Sequence, residues 1–185
     1  MKKWNRRTRV VVLSGVLSLL FLAIYIAGVM LPEELTAPSI RSTRRPPSLE
    51  HFFGTDALGR DLFFRTLKGL SVSMTVGLIA SVISAVIAVF VGVAAATGSR
   101  RMDGFINWVI DLMMGVPHMV LIMLISVAFG RGLKGLLIGV AATHWCSLAR
   151  LIRAEVMQLR SQQYVAVSRK LGKSSGWILV NHLLP

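Results

Sequence analysis

The chain has few of the residues that build disulfide frameworks, metal clusters or acidic sites: among 185 residues there are 1 cysteine, 4 histidines and 8 acidic residues. The single cysteine, Cys146, has no partner for a disulfide or a cysteine-ligated cluster, so we expect it to serve packing. Neither H-E-x-x-H nor C-x-x-C occurs. The sequence therefore predicts no metal centre.

Charge is absent from two long segments and scarce in two more, which contain only Asp111 and Arg150. Hydrophobic residues make up 54% of the chain and the mean hydropathy is +0.66, more than a soluble core of this size uses. Residues 10–31 carry no charge and would span about 33 Å as a helix. Further apolar runs occupy 72–97, 105–129, which Asp111 interrupts, and 136–152. The predicted fold is an all-α, multispan transmembrane helical bundle with four spans.

A cleaved signal peptide is the alternative for the first run, because basic residues precede it. The run is longer than an ordinary signal-peptide core, and no clear A-x-A site follows. We therefore expect residues 10–31 to remain as a membrane span.

The net charge of +13 is concentrated in short segments beside the apolar runs, which argues against a nucleic-acid partner. Basic clusters at residues 2–9, 100–101 and 150–173 fall on one side of the membrane if the spans alternate. By the positive-inside rule that side is the cytoplasm, so the N-terminus lies inside and residues 32–71 lie outside. The outer segment, residues 32–71, also contains arginines. The positive-inside rule is read mainly from short loops, so arginines in this long segment count less against the assignment.

A glycine- and aspartate-rich motif precedes the second apolar run. It reads G-T-D-x-x-G-R-D and comprises Gly54, Thr55, Asp56, Gly59, Arg60 and Asp61. The glycines permit a tight bend, Asp56 can cap a following turn, and Arg60 with Asp61 offers a charge pair. This stretch strongly resembles the one found in the dipeptide, oligopeptide and nickel branch of ABC-importer permeases, from which Phe64 and Ser71 depart. Two roles remain open for this motif. It can form a rigid turn that presents the second span, or it can contact the substrate or the binding protein directly.

The segment 164–185 carries a second resemblance. Ala166, Val167, Ser168, Gly172 and Pro185 have the spacing of the EAA loop of ABC-importer permeases, although Ala166 replaces the usual acid, Val167 the first alanine, and His182 the isoleucine. The two motifs lie in the expected order, so the resemblance covers essentially the whole chain.

The resemblance implies a permease subunit in the cytoplasmic membrane of a bacterium or archaeon, importing peptides or nickel-type solutes without a cofactor. It implies four kinds of partner: a second permease subunit, two ATPase subunits that hydrolyse ATP, an extracytoplasmic solute-binding protein, and membrane lipid. The expected organisation is a basic cytoplasmic tail (1–9), a first span (10–31), an outer segment (32–71) and a permease core (72–185) that ends in the EAA-like loop. A channel or scaffold module that works without ATPase is the alternative. Because such permeases continue into two more spans, we also expect a truncated permease that inserts but does not transport alone.

The loop is expected to act mechanically. Residues 161–171 can form a helix, Gly172 can end it in a left-handed conformation, and Ser174 or Ser175 can cap a second helix. Residues 172–174 match the end of a Walker A motif, but the first glycine is replaced by Val167, so ATP binding by this chain is not expected. The ATPase-coupling residues implied by the resemblance and its geometry are Ala166, Ser168, Leu171, Gly172, Trp177, Ile178 and Pro185, with Leu171, Trp177 and Ile178 as apolar anchors. An amphipathic helix lying on anionic lipid is the alternative.

Polar residues within the spans are candidate pathway residues: Asp111, Pro117, His118 and His144. Asp111 can pair with Arg150 or Arg153, or reach water near the interface. The two histidines either line a pathway or are packed and neutral, and no metal-ligand spacing surrounds them. A stripe of small residues on the second span predicts close helix packing; it comprises Gly77, Ser81, Ala85, Ala88, Gly92 and Ala96.

Overall fold

The computed structural model describes residues 5–183, which are predominantly helical. The helices are α1 (Arg6–Met30), α2 (Leu62–Thr97), α3 (Arg100–Gly115), α4 (His118–Ala128), α5 (Leu133–Arg160), α6 (Gln163–Lys170) and α7 (Ser175–Ile178), which continues into a π-helical turn (Leu179–Leu183). Short 3-10 helices occupy Glu33–Thr36 and Ile40–Ser42. Within the described residues, extended pairing is limited to one isolated bridge between Thr55 and Asp61. The all-α prediction is confirmed.

Three helices, α1, α2 and α5, are long and apolar enough to cross a membrane. The predicted third span is not a straight helix, because α3 and α4 meet at an angle of 95° and count as a fourth span only if taken together. Pro117 lacks the N–H that would continue the helix, and it forces Val116 into an extended conformation with ψ 135°. The break therefore has a local cause.

The chain divides into two compact units, and the first is Met1–Gly77. Here the end of α1 packs on the second and third turns of α2 through Gly28. A Cβ at Gly28 would lie 2.5 Å from the Leu67 carbonyl oxygen and 2.6 Å from Ser71 Cβ. The close approach thus requires glycine in α1 and accommodates the small, buried Ser71 in α2.

The second unit is Leu78–Pro185, in which the remainder of α2 packs against α3 and α5. Its core contains two apolar clusters. One comprises Ala88, Ile110, Cys146 and Ala149, and the other comprises Val93, Ala96, Val156, Val165 and Ile178. Cys146 is buried with a relative exposure of 2%, in agreement with the predicted packing role.

The small-residue stripe on α2 contributes to this core only in part. Ala88, Gly92 and Ala96 are buried, and a Cβ at Gly92 would lie 2.7 Å from the Ala149 carbonyl oxygen. Gly77 and Ser81 are exposed. At this end of the contact, α2 instead reaches α5 through Ser84, whose hydroxyl donates to the Ala141 carbonyl at 3.1 Å.

Candidate functional site

The turn between α6 and α7 has the conformation that the sequence predicts. Gly172 has φ +78°, and its N–H donates to the Arg169 carbonyl at 3.1 Å. The Lys173 N–H donates to the Ser168 carbonyl at 3.2 Å, which completes a Schellman ending of α6. Ser174 then caps the next helix, because its hydroxyl accepts the Trp177 N–H at 3.2 Å.

Residues 172–176 also read G-x-S-x-G, the spacing of a hydrolase nucleophile elbow. That motif needs a strand before the serine, whereas α6 precedes Ser174 here. The Ser174 hydroxyl serves as a helix cap. The segment is therefore a helical turn.

Two buried side chains fix this turn to the ends of the long helices. Val165 on α6 has no exposed surface, and Ile178 on α7 is 3% exposed. Both pack with Val93 of α2 and Val156 of α5. Ile178 is thus part of the chain's own core, and the predicted role of this residue as a docking anchor does not fit its burial.

The exposed side of the same turn is apolar with a basic border. We call it the exposed turn surface, and it comprises Val167, Leu171, Trp177 and Val180, bordered by Arg169, Lys170 and Lys173. Leu171 is 74% exposed and Trp177 is 40% exposed. The Lys173 ammonium lies 4.8 Å from the centre of the Trp177 ring, within range of a cation–π contact. Ala166 is exposed and Ser168 is half-buried, while Pro185 lies outside the described residues.

Two ion pairs connect α3 to α5. Arg153 forms a bidentate contact with Asp103, with Nε–Oδ1 at 2.5 Å and Nη2–Oδ2 at 2.6 Å. Arg150 Nη2 lies 2.5 Å from Asp111 Oδ1, which is one of the pairings that the sequence suggested. The Arg153–Asp103 pair was not predicted, because a separation of 50 residues gives no local signal.

A cavity of about 390 Å³ lies beside the break between α3 and α4. It is lined by Met113, Met114, Val116, Pro117, His118, Leu121, Thr143, His144, Cys146 and Ser147. The His118 and His144 rings meet edge to face with their centres 4.8 Å apart, and His144 Nδ1 lies 2.9 Å from the Val140 carbonyl oxygen. Among the described residues no group of three metal-ligating side chains occurs, so the cavity has no built metal site.

The G-T-D-x-x-G-R-D motif folds into a closed turn before α2. Gly54 and Gly59 have φ of +71° and +74°, and a Cβ at Gly59 would overlap the Ser39 carbonyl oxygen. The Thr55 hydroxyl accepts the Arg45 N–H at 2.8 Å and donates to the Ser42 carbonyl. The motif thus ties the preceding segment down as a rigid turn.

The predicted charge pair between Arg60 and Asp61 does not form, and Asp56 and Asp61 have other partners. Asp56 accepts the Arg60 and Leu58 N–H groups at 2.9 and 2.8 Å and pairs with Arg65 at 2.5 Å. The pKa of Asp56 is lowered, mainly by the hydrogen bond that its carboxylate accepts from the Arg60 N–H. The carboxylate partner of His51 is Asp61, with Nδ1–Oδ2 at 2.9 Å.

Asp61 is also the N-cap of α2, since its Oδ1 accepts the Phe63 and Phe64 N–H groups at 2.8 and 3.3 Å. Burial disfavours the charged form of Asp61. The contact with His51 and the hydrogen bonds from the Phe63 and Phe64 N–H groups outweigh burial, so the pKa of Asp61 is lowered. The stabilisation from this carboxylate is therefore fully present above about pH 3.9 and is lost as the pH falls through the lowered value.

Asp61→Ala is expected to loosen the turn, because it removes the cap of α2 and the partner of His51. Loss of a cap costs about 0.5–2 kcal/mol, so the open turn should become roughly 2- to 30-fold more populated. Trypsin cleavage between residues 41 and 60 of the purified protein measures this. Asp61→Asn, which keeps a capping oxygen, should show a smaller increase, and equal cleavage of Asp61→Ala and wild type would contradict the capping role.

Comparison with known proteins identifies the family. Residues 88–185 match the family described as binding-protein-dependent transport system inner membrane component. The chain belongs to this family.

Similar proteins include the dipeptide transport system permease protein DppC of Bacillus subtilis (strain 168), 32% identical over 185 residues that cover 98% of this chain and 58% of DppC. The oligopeptide transport system permease protein OppC of the same organism is 33% identical over 152 residues, 82% of this chain and 50% of OppC. A putative peptide transport system permease protein of Brucella suis biovar 1 (strain 1330) is 38% identical over 170 residues, 90% of this chain and 57% of that protein.

The chain thus spans about half the length of these relatives. The family membership and the long apolar helices agree with the predicted multi-pass membrane protein of an ABC importer. The relatives are named as components of transport systems.

Proposed function

We propose that this chain is part of the permease subunit of an ABC importer that moves peptides across the cytoplasmic membrane. The observation that carries the proposal is the α6–α7 turn, which is fixed to α2 and α5 by Val165 and Ile178 and exposes Leu171 and Trp177 on its other side. Such an element is held by the spans and is open to a soluble partner.

Force on the exposed turn surface would reach the spans through this packing. Leu171 and Trp177 fill an apolar groove on a separate ATPase subunit, and nucleotide-driven closure of the ATPase moves the turn. Val165 and Ile178 then carry the motion to α2 and α5, since packed cores transmit displacement rather than absorb it. Arg153 and Asp103 extend the connection to α3.

The other partners follow from the family. We propose a second permease subunit, a pair of ATPase subunits that hydrolyse ATP, and an extracytoplasmic solute-binding protein. The N-terminus and residues 164–185 lie in the cytoplasm, in accord with the basic clusters at 6–9, 100–101 and 150–173.

Peptides are the proposed solutes because all three relatives described above are named as peptide-system permeases. Nickel receives no specific support from those names. Asp111, Pro117, His118 and His144 are proposed to lie on the pathway, because the last three line the cavity and Asp111 is one turn before it.

Cysteine cross-linking tests the docking role. Leu171→Cys should form a disulfide with an engineered cysteine in the groove of the ATPase subunit, and the cross-link would also place residues 164–185 in the cytoplasm. Lys134→Cys is the matched control, because it is exposed at the other end of α5, about 40 Å from α6. Equal cross-linking at both positions, or none at Leu171→Cys, would favour a channel or scaffold that works without ATPase.

A further inference from the structure

Three basic side chains converge on one recess in the unit Met1–Gly77. The recess has a volume of about 340 Å³ and is lined by Thr36, Arg60, Arg65, Lys68, Gly69 and Val72. We call it the cationic recess. Arg65 and Lys68 are three residues apart on α2, so they lie on the same face of the helix.

The residues that line the recess include three cations and no carboxylate. Asp56 pairs with Arg65 at 2.5 Å, but Arg60 and Lys68 form no salt bridge within the described residues. The other carboxylate of the motif, Asp61, is held by His51. One of the three lining cations is thus paired with a carboxylate in the described residues, and a bound anion would relieve the repulsion among the three cations.

The recess lies where the charged first part of α2 meets its charge-free part. Lys68 is the last charged residue of α2, and residues 69–99 carry no charge. The last turn of α1 packs on the same part of α2 through Gly28, so both spans reach their polar ends at this level. Lys and Arg side chains at such a position contact lipid headgroups.

We propose that the cationic recess binds the phosphate of an anionic phospholipid. Arg60 and Arg65 supply planar guanidinium groups that suit phosphate oxygens, Lys68 supplies a compact charge, and Gly69 with Val72 leaves an apolar wall for the lipid below its headgroup. The lipid would hold the G-T-D-x-x-G-R-D turn at the membrane surface. This role is independent of transport.

Lipid retention by the purified chain tests the proposal. The protein is delipidated in mild detergent and titrated with phosphatidylglycerol or phosphatidylcholine, and bound lipid is counted by native mass spectrometry. Each surface cation contributes about fivefold to anionic lipid binding, so Lys68→Gln should weaken phosphatidylglycerol retention about fivefold and Arg60→Gln with Lys68→Gln about 25-fold. Phosphatidylcholine has the same phosphate beside a choline cation, so its retention by the wild type should be weaker and should fall less in the variants.

The controls separate charge from folding and lipid from other anions. Lys68→Arg should retain phosphatidylglycerol, and Lys134→Gln, which removes an exposed cation of the other unit, should behave as wild type. Equal retention by wild type and the double variant, or no preference over phosphatidylcholine, would overturn the proposal. Complete displacement of phosphatidylglycerol by millimolar inorganic phosphate would also overturn it, because it would indicate a site for free anions. Charge-dependent capture of an acidic protein partner with unaltered lipid retention would overturn it as well.

Discussion

Gly172→Pro is expected to abolish peptide uptake while leaving the protein in the membrane at its normal level. The native φ of +78° at this position is closed to proline, whose ring fixes φ near −65°, and the bond from the Gly172 N–H to the Arg169 carbonyl would be lost. The exposed turn surface would change its orientation relative to the spans, but the spans themselves would not be altered. Uptake of labelled peptide by cells that express the complete importer, divided by membrane abundance, measures the effect.

Leu171→Asp gives an independent form of the same test. Leu171 is 74% exposed, so the charge costs the fold little but places an unpaired carboxylate in the proposed apolar groove. We expect uptake to fall at least tenfold with ATPase binding weakened. Gly176→Ala is the control, because a Cβ there meets nothing within 4 Å, and its uptake should be normal. Normal uptake by both Gly172→Pro and Leu171→Asp would refute the coupling role.

The features that the sequence predicted well are those with local causes. Three of the four predicted spans, at 10–31, 72–97 and 136–152, correspond to helices that are long and apolar enough to cross a membrane. The left-handed Gly172 and the Ser174 cap follow from residue types within one turn of each other. The Arg150–Asp111 pair could be predicted because an acid within a span needs a cationic partner, and the neighbouring spans offer few basic residues.

The features that were missed depend on residues far apart in the chain. The burial of Ile178 results from contact with Val93 and Val156, and the Asp103–Arg153 pair joins two helices. The Arg60–Asp61 pair was wrong because the cap of α2 turns Asp61 towards His51. The break at Pro117 had a visible cause, but its 95° angle depends on how α4 packs against α5.

Gly92→Leu is expected to have the largest effect on the fold of the second unit. A Cβ at this position would lie 2.7 Å from the Ala149 carbonyl oxygen and 3.0 Å from Ile152 Cβ, so α2 and α5 must separate. Overpacking of this kind costs about 1–3 kcal/mol, and here it also disturbs the core that holds Val165 and Ile178. We expect a lower thermal transition of the purified protein and a loss of Leu171→Cys cross-linking to the ATPase subunit.

Gly77→Leu is the matched control, because Gly77 belongs to the same predicted stripe on the same helix. A Cβ there meets nothing within 4 Å, and leucine favours a helix more than glycine does by roughly 1 kcal/mol. The purified Gly77→Leu chain should therefore be at least as stable as wild type, whereas Gly92→Leu is destabilised. If both substitutions lowered the transition equally, the stripe would act as a whole, and the close contact of Gly92 with Ala149 would not be the feature that joins α2 to α5.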